Sequence, residues 1–218
     1  MNRRAIVVLT GIAALTVFSG STAFYQNQQA KRARDIAAAR AEALVREHSP
    51  VIGPANAPVT IVEFFDPSCE ACRAFYPPLK QILGLFPTDV RLVLRYATFH
   101  EGSDKAVAIL EAARRQGKLE PVLQALLQYQ PEWADHASPD LEKAWTRAGE
   151  AGLDVARGKR DAALPEIGQL LQNDMADVKT MEVRQTPTFY VNGEPLTEFG
   201  PQQLYQMVKR EVDRSKQR

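Results

Sequence analysis

The seven residues Val59-Thr60-Ile61-Val62-Glu63-Phe64-Phe65 constrain the fold more than any other stretch of the chain. β-Branched and aromatic side chains in a short run, closed on both sides by turn residues, read as a buried strand. Pro58 precedes the run and Asp66-Pro67-Ser68 ends it. From residue 69 to 86 the apolar positions Ala71, Phe75, Tyr76, Leu79, Ile82, Leu83 and Phe86 recur at helical spacing. Pro77-Pro78 inside that stretch predict a kink or a break after the first turns. Residues 90–96 (VRLVLRY) read as a second strand. Strand, helix and strand in that order make a βαβ unit with parallel strands and a right-handed crossover, so the fold class is α/β.

Beyond this unit, residues 102–181 are helical in pattern, with pieces expected at 104–117, 119–128, 138–151 and 161–181. Ser138-Pro139 reads as an N-cap followed by proline at the first helical position, and Gly152 fits a helix end. Strand character returns at 188–191, followed by the turn Asn192-Gly193 and a partner run at 196–199. Asn-Gly between two such runs is a strong hairpin signal. Gly200-Pro201 opens a last helix, 202 to about 212.

The amino-terminal quarter differs in character. Arg3 and Arg4 precede an uncharged, mostly apolar run, residues 5–23, which is the pattern of a secretory signal. Small residues at Ser21-Thr22-Ala23 suit cleavage after Ala23. Residues 5–25 are also long enough to stay uncleaved as a membrane anchor across a core of about 30 Å. Either way the remainder is expected outside the cytoplasm, in a periplasm-like compartment. Residues 26–48 are rich in Ala, Arg, Glu and Gln without Gly or Pro, a helical spacer. Its apolar stripe of Ile36, Ala39, Ala43 and Leu44 is thin, leaving a solvated spacer or a stalk that makes a homo-oligomer. Pro50, Gly53, Pro54 and Pro58 then mark a boundary. The expected division is 1–23 signal or anchor, 24–50 spacer or stalk, and 51–218 a domain with its helical insertion at about 102–181. Residues 1–50 hold seven of the 27 basic and three of the 26 acidic side chains. The basic excess therefore lies in the leader and spacer, and the domain is slightly acidic.

The net charge of +1 argues against nucleic acid as a partner. A chain of 218 residues buries enough apolar surface to need no disulfide staples. Its only two cysteines, Cys69 and Cys72, nevertheless sit three apart where a strand gives way to a helix. A metal site would need two more soft ligands, and His48, His100 and His136 look scattered and paired with nothing. A disulfide closing so short a loop stabilises little. A redox dithiol without metal or organic cofactor fits best. Unpaired N–H groups and the partial positive charge of a helix start lower the pKa of Cys69 below about 8.5. Cys72, one turn on, resolves the mixed disulfide. Glu70 places a carboxylate beside the nucleophile and opposes the thiolate. The alternative use of the dithiol is as a Cu(I)-binding module, although Met175, Met181 and Met207 lie far along the chain.

The strand 59–65, the approach Phe65-Asp66-Pro67-Ser68, Cys69-Glu70-Ala71-Cys72, and Thr186-Pro187 ahead of Thr188-Phe189-Tyr190-Val191-Asn192-Gly193 together resemble the thioredoxin superfamily. The likeness is closest to its DsbA-like thiol–disulfide oxidoreductases and covers residues 54–214. It implies a thioredoxin fold with an inserted helical subdomain, cysteine-containing protein substrates, and a membrane or soluble redox partner. It implies further that Pro187 is cis and faces the dithiol, and that Thr186 contacts the substrate backbone. The family's oxidants usually carry Pro and then His, Tyr or Ser between the cysteines. Here Glu70-Ala71 stand instead, which suggests redox tuning toward a less oxidising poise. By the same likeness Glu63 is a candidate proton acceptor beneath Cys72, a strand-edge surface position being the other reading. His100 reads as a surface loop residue that could approach the dithiol. Trp133 and Trp145 read as core, and Phe64, Phe65 and Phe75 as packing around the site.

Overall fold

The computed structural model describes residues 25–32 and 34–217, and the leader 1–23 lies outside them. The chain divides into two units between Glu42 and Ala43. In the first, residues 25–32 are helical and exposed, as are the described residues from 34 onward, where α1 (34–44) begins.

The second unit is built on a sheet of β1 (Val51–Ile52), β2 (Val59–Phe65), β3 (Val90–Tyr96), β4 (Thr188–Val191) and β5 (Glu194–Pro195), in the order β1-β3-β2-β4-β5. β2 and β3 pair in parallel from Val59–Val90 to Phe65–Tyr96, as a βαβ unit requires. β4 runs antiparallel to β2 on its other side. Between β2 and β3 lies α2 (Glu70–Leu85), which carries Pro77 and Pro78 without ending. The expected break is absent: the carbonyls freed by the two prolines, those of Arg73 and Ala74, belong to partly or fully exposed residues, where solvent access makes the missing N–H less costly.

Side chains alternate across the pleat. Val59, Ile61 and Phe65 of β2, with Val90, Leu92, Leu94 and Tyr96 of β3, face one core shared with Cys72, Phe75 and Leu79 of α2 and with Leu204 and Val208 of α9 (Pro201–Ser215). Val62, Phe64 and Val93 face a second core with Ala43, Leu44, Val178 and Met181. Phe64 therefore packs on the side away from the dithiol, edge-on to Tyr190 at 6.1 Å, and not around the site as expected.

Helices α3 (Ser103–Arg115), α4 (Leu119–Gln128), α5 (Gln130–Trp133), α6 (Leu141–Glu150), α7 (Val155–Ala162) and α8 (Pro165–Thr180) fill the insertion. The helix expected at 161–181 is α8, which starts at Pro165, while α7 over 155–162 is not among the expected pieces. Asp140, not Ser138, caps α6, accepting from the Lys143 N–H at 3.1 Å. Leu170 in the first half of α8 joins the first core, and Val178 near its end joins the second. Trp133 is fully buried and donates to the Leu126 carbonyl at 2.9 Å; Trp145 is partly buried. The hairpin turns at Asn192-Gly193, but its second strand stops at Pro195, and residues 196–199 form no strand. That loop instead lays Phe199 against Phe75, ring centroids 5.0 Å apart. Among the described residues no helix is long and apolar enough to cross a membrane.

Candidate functional site

The register of the sheet brings the site together. β4 begins at Thr188, opposite Phe64 near the end of β2, so Thr186 and Pro187 lie beside the segment that follows β2. That segment carries the two cysteines. Cys69 is the extended N-cap of α2 and Cys72 lies in its first turn. Thr186-Pro187 is a cis peptide, and the Cys69 thiol donates to the Thr186 carbonyl at 3.2 Å.

Both thiols are free and buried, but not alike. The Cys69 thiol is lowered from 9.0 to about 5. A side-chain hydrogen bond from Cys72 is the largest cause, opposed by burial and helped by a side-chain hydrogen bond from Thr186 and by the backbone amides of Cys72 and Ala71. The helix start thus holds the sulfur's negative charge as the sequence suggests. Cys72 is pushed far up, chiefly by burial, then by its bond to Cys69 and by the charges of Glu63 and Cys69. Glu63 is buried in the sheet on the same face as Ile61 and Phe65, so the surface reading of this residue does not hold. Burial, then the Cys69 charge, raises its carboxyl from 4.5 to about 8.

Three supports come from residues that spacing does not single out. Asp66 is completely buried and accepts from the backbone N–H groups of Ser68 (2.8 Å), Phe99 (2.8 Å) and His100 (3.2 Å) and from the Ser103 hydroxyl at 2.5 Å. It fixes the approach to Cys69 and the loop after β3 on one carboxylate. Gln130, from the short α5, donates to the carbonyls of Pro67 at 2.8 Å and Cys69 at 3.0 Å. The helical insertion thereby clamps the dithiol loop. His136 follows α5 and lies 3.3 Å from the Glu70 carboxylate.

The histidines correct a sequence expectation. His100 is bonded through Nδ1 to Asp66 at 2.7 Å and is only half-exposed. Its ring lies 4.4 Å from that of His136. Two of the three histidines therefore meet, beside Glu70, where the chain order left them scattered. Glu70 points to His136, and the hydrogen bonds that lower the Cys69 thiol are led by those of Cys72 and Thr186. Ala71 contributes through its backbone amide.

The thioredoxin family model matches residues 45–210. A curated relative, the Na(+)/H(+) antiporter NhaA of Herminiimonas arsenicoxydans, is 31% identical over 144 residues, which is 66% of this chain and 22% of the antiporter. The chain thus spans less than a quarter of that relative. Among solved structures, a thioredoxin-like oxidoreductase from Silicibacter pomeroyi DSS-3 superposes with a TM-score of 0.68 at 31% identity, over 81% of this chain and 98% of that one. The thiol-disulfide exchange protein alpha-DsbA2 from Wolbachia pipientis superposes with a TM-score of 0.67 at 19% identity, over 84% of this chain and 97% of that one, and shows the shared fold. With most of its length matched, and with the strand order and helical insertion described above, the chain belongs to the thioredoxin family, with the fold of its DsbA-like members.

Proposed function

We propose that this protein is an extracytoplasmic thiol–disulfide oxidoreductase acting on cysteine-containing proteins. The observation that carries this reading is the pairing of a lowered Cys69 thiol, held against the Thr186 carbonyl, with a raised and buried Cys72 three residues on. The Cys69 thiolate attacks one sulfur of a substrate disulfide. A mixed disulfide forms and the other substrate sulfur leaves as a thiolate. Cys72 then gives up its proton, attacks the Cys69 sulfur, and releases the second substrate thiolate, leaving a Cys69–Cys72 disulfide. In reverse the same steps oxidise a substrate dithiol, and a membrane or soluble redox partner restores the starting form.

Glu63 is placed to take the Cys72 proton. Its carboxyl titrates at about 8, close to neutrality, as an acid–base group should. The Cys69 charge is one of the two causes of that elevation. Forming the mixed disulfide removes that charge, so the Glu63 carboxyl ionises more readily and is present as the carboxylate when Cys72 must lose its proton. Thr186 and cis-Pro187 offer an edge for an extended substrate segment. The signal-like residues 1–23 support an extracytoplasmic location.

Insulin reduction and reactivation of a scrambled substrate test this. Cys69→Ser should abolish both, and Cys72→Ser should trap a mixed disulfide at Cys69. Stoichiometric Cu(I) binding without turnover would instead make the dithiol a metal-binding module. Met175 packs with the second core, on the far side of the sheet from the dithiol, which weighs against that use.

A further inference from the structure

Glu70, His100 and His136 come from three places: the first residue of α2, the loop after β3 and the loop after α5. Each presents one ligand atom, and all three atoms lie within 4.8 Å of one another. The His136 Nε2 is 3.3 Å from a Glu70 oxygen, and the two imidazole rings are 4.4 Å apart. Nothing in the thiol chemistry uses this cluster.

A second observation concerns His100 alone. Its Nδ1 faces Asp66 at 2.7 Å. Asp66 is fully buried and already accepts from three N–H donors and a hydroxyl. With Nδ1 engaged by Asp66, Nε2 is the ring nitrogen of His100 left to meet a ligand. A buried carboxylate that orients an imidazole in this way is the outer support found behind metal-binding histidines. His48 also touches a carboxylate, Asp174, but no second imidazole accompanies it.

We propose that Glu70, His100 and His136 bind one divalent transition-metal cation of the Zn2+ class. Two imidazole nitrogens and one carboxylate oxygen suit borderline cations, rather than the all-oxygen shells of Ca2+ and Mg2+ or the thiolates that select Cu(I). Three protein ligands leave the fourth tetrahedral position open. Donors around such an ion stand about 3.3 Å apart, given bonds of roughly 2.0–2.1 Å. His136 and Glu70 can close that distance because their side chains are 47% and 61% exposed. His100 is the fixed member, held from behind by Asp66. The ion would sit one residue from Cys69 and neutralise the carboxylate between the cysteines, without needing either sulfur.

The test uses the untagged, full-length Cys69→Ser/Cys72→Ser protein titrated with Zn2+ by calorimetry, so that the thiols contribute nothing. One equivalent should bind saturably. His136→Ala and Glu70→Gln, both at the surface, should each weaken binding at least about tenfold while leaving the thermal midpoint of the metal-free protein unchanged. His100→Ala should weaken binding at least as much, and His48→Ala should leave Zn2+ binding unchanged. Absence of saturable binding in the double-serine protein, or binding indifferent to both His136→Ala and Glu70→Gln, would overturn the proposal.

Discussion

How readily a thiol reacts depends on how well its anion is held, and Cys69 and Cys72 are held differently. Cys69 has hydrogen bonds to its sulfur from Cys72, Thr186 and two amides, and titrates at about 5. That lies between the values of about 7 for a thioredoxin and about 3.5 for a strong oxidant. The potential of the pair should accordingly fall between about −270 and −120 mV. Equilibration with glutathione redox buffers measures it, and a value at the upper limit would contradict the poise inferred from Glu70-Ala71. Alkylation of the reduced protein should be half-maximal near pH 5 and confined to Cys69. A single midpoint near the free-thiol value would show that the helix start does not hold the charge. Glu63 gives an opposite pH signature. Its folded-state carboxyl, raised to about 8, is more easily kept protonated than in the unfolded chain near 4.5. Folding stability from this group is therefore intact below about pH 4.5 and is lost progressively as pH rises to about 8. Glu63→Gln escapes the loss, so in urea unfolding of the reduced protein it should gain on the native chain by up to about 1.4 kcal/mol per pH unit in that window. Parallel stability curves for the two proteins would show that folding does not raise the Glu63 carboxyl.

Single elements carry effects that no single residue explains. The four-residue α5 packs Trp133 into the core and turns Gln130 onto the carbonyls of Pro67 and Cys69. Gln130→Leu keeps the volume but takes the side-chain donor from both buried carbonyls, leaving that of Cys69 only the Arg73 N–H at 3.1 Å. It should cost about 1–3 kcal/mol and slow alkylation of Cys69 at pH 6, because the loop that aims the thiol loses its clamp. Unchanged alkylation would mean that α2 alone positions the sulfur. Gln130 also shows why the sequence yields some elements and not others. Strands β2 and β3 and the helix carrying the dithiol follow from local periodicity, which one stretch of chain contains in full. A bond between residues 130 and 67 leaves no mark on periodicity. The same holds for the meeting of His100 with His136, which only the packing of the insertion against the βαβ unit creates. Proline marks some bounds that periodicity blurs: Pro165 opens α8 four residues after the start that periodicity suggests. Pro195, lacking an N–H, closes the short β5.

On the scale of the whole molecule, composition places the boundary between spacer and domain near residue 50, whereas the contacts of the fold begin at Ala43. Ala43 and Leu44 are buried in the second core. Arg95, fully buried on β3, is bonded to Asp174 at 2.7 Å and Asp177 at 2.6 Å, and also donates to the Ala43 carbonyl. Arg46 pairs with Asp177 at 2.7 Å and His48 with Asp174 at 2.7 Å. Residues 43–48 thus complete an ionic network beneath the sheet, and removing them leaves buried carboxylates with fewer partners, a loss of about 3–5 kcal/mol when a buried pair is broken. Two truncations separate the spacer's role from this one. A chain beginning at residue 43 should unfold at the temperature of the full chain, while one beginning at 49 should be markedly less stable. If residues 26–42 form an oligomerising stalk, sedimentation should find the full chain associated and the chain from 43 monomeric, with the same rate of insulin reduction per dithiol. Equal stability of the two truncations would show that the network does not depend on residues 43–48. A monomeric full chain would reduce residues 26–42 to a spacer.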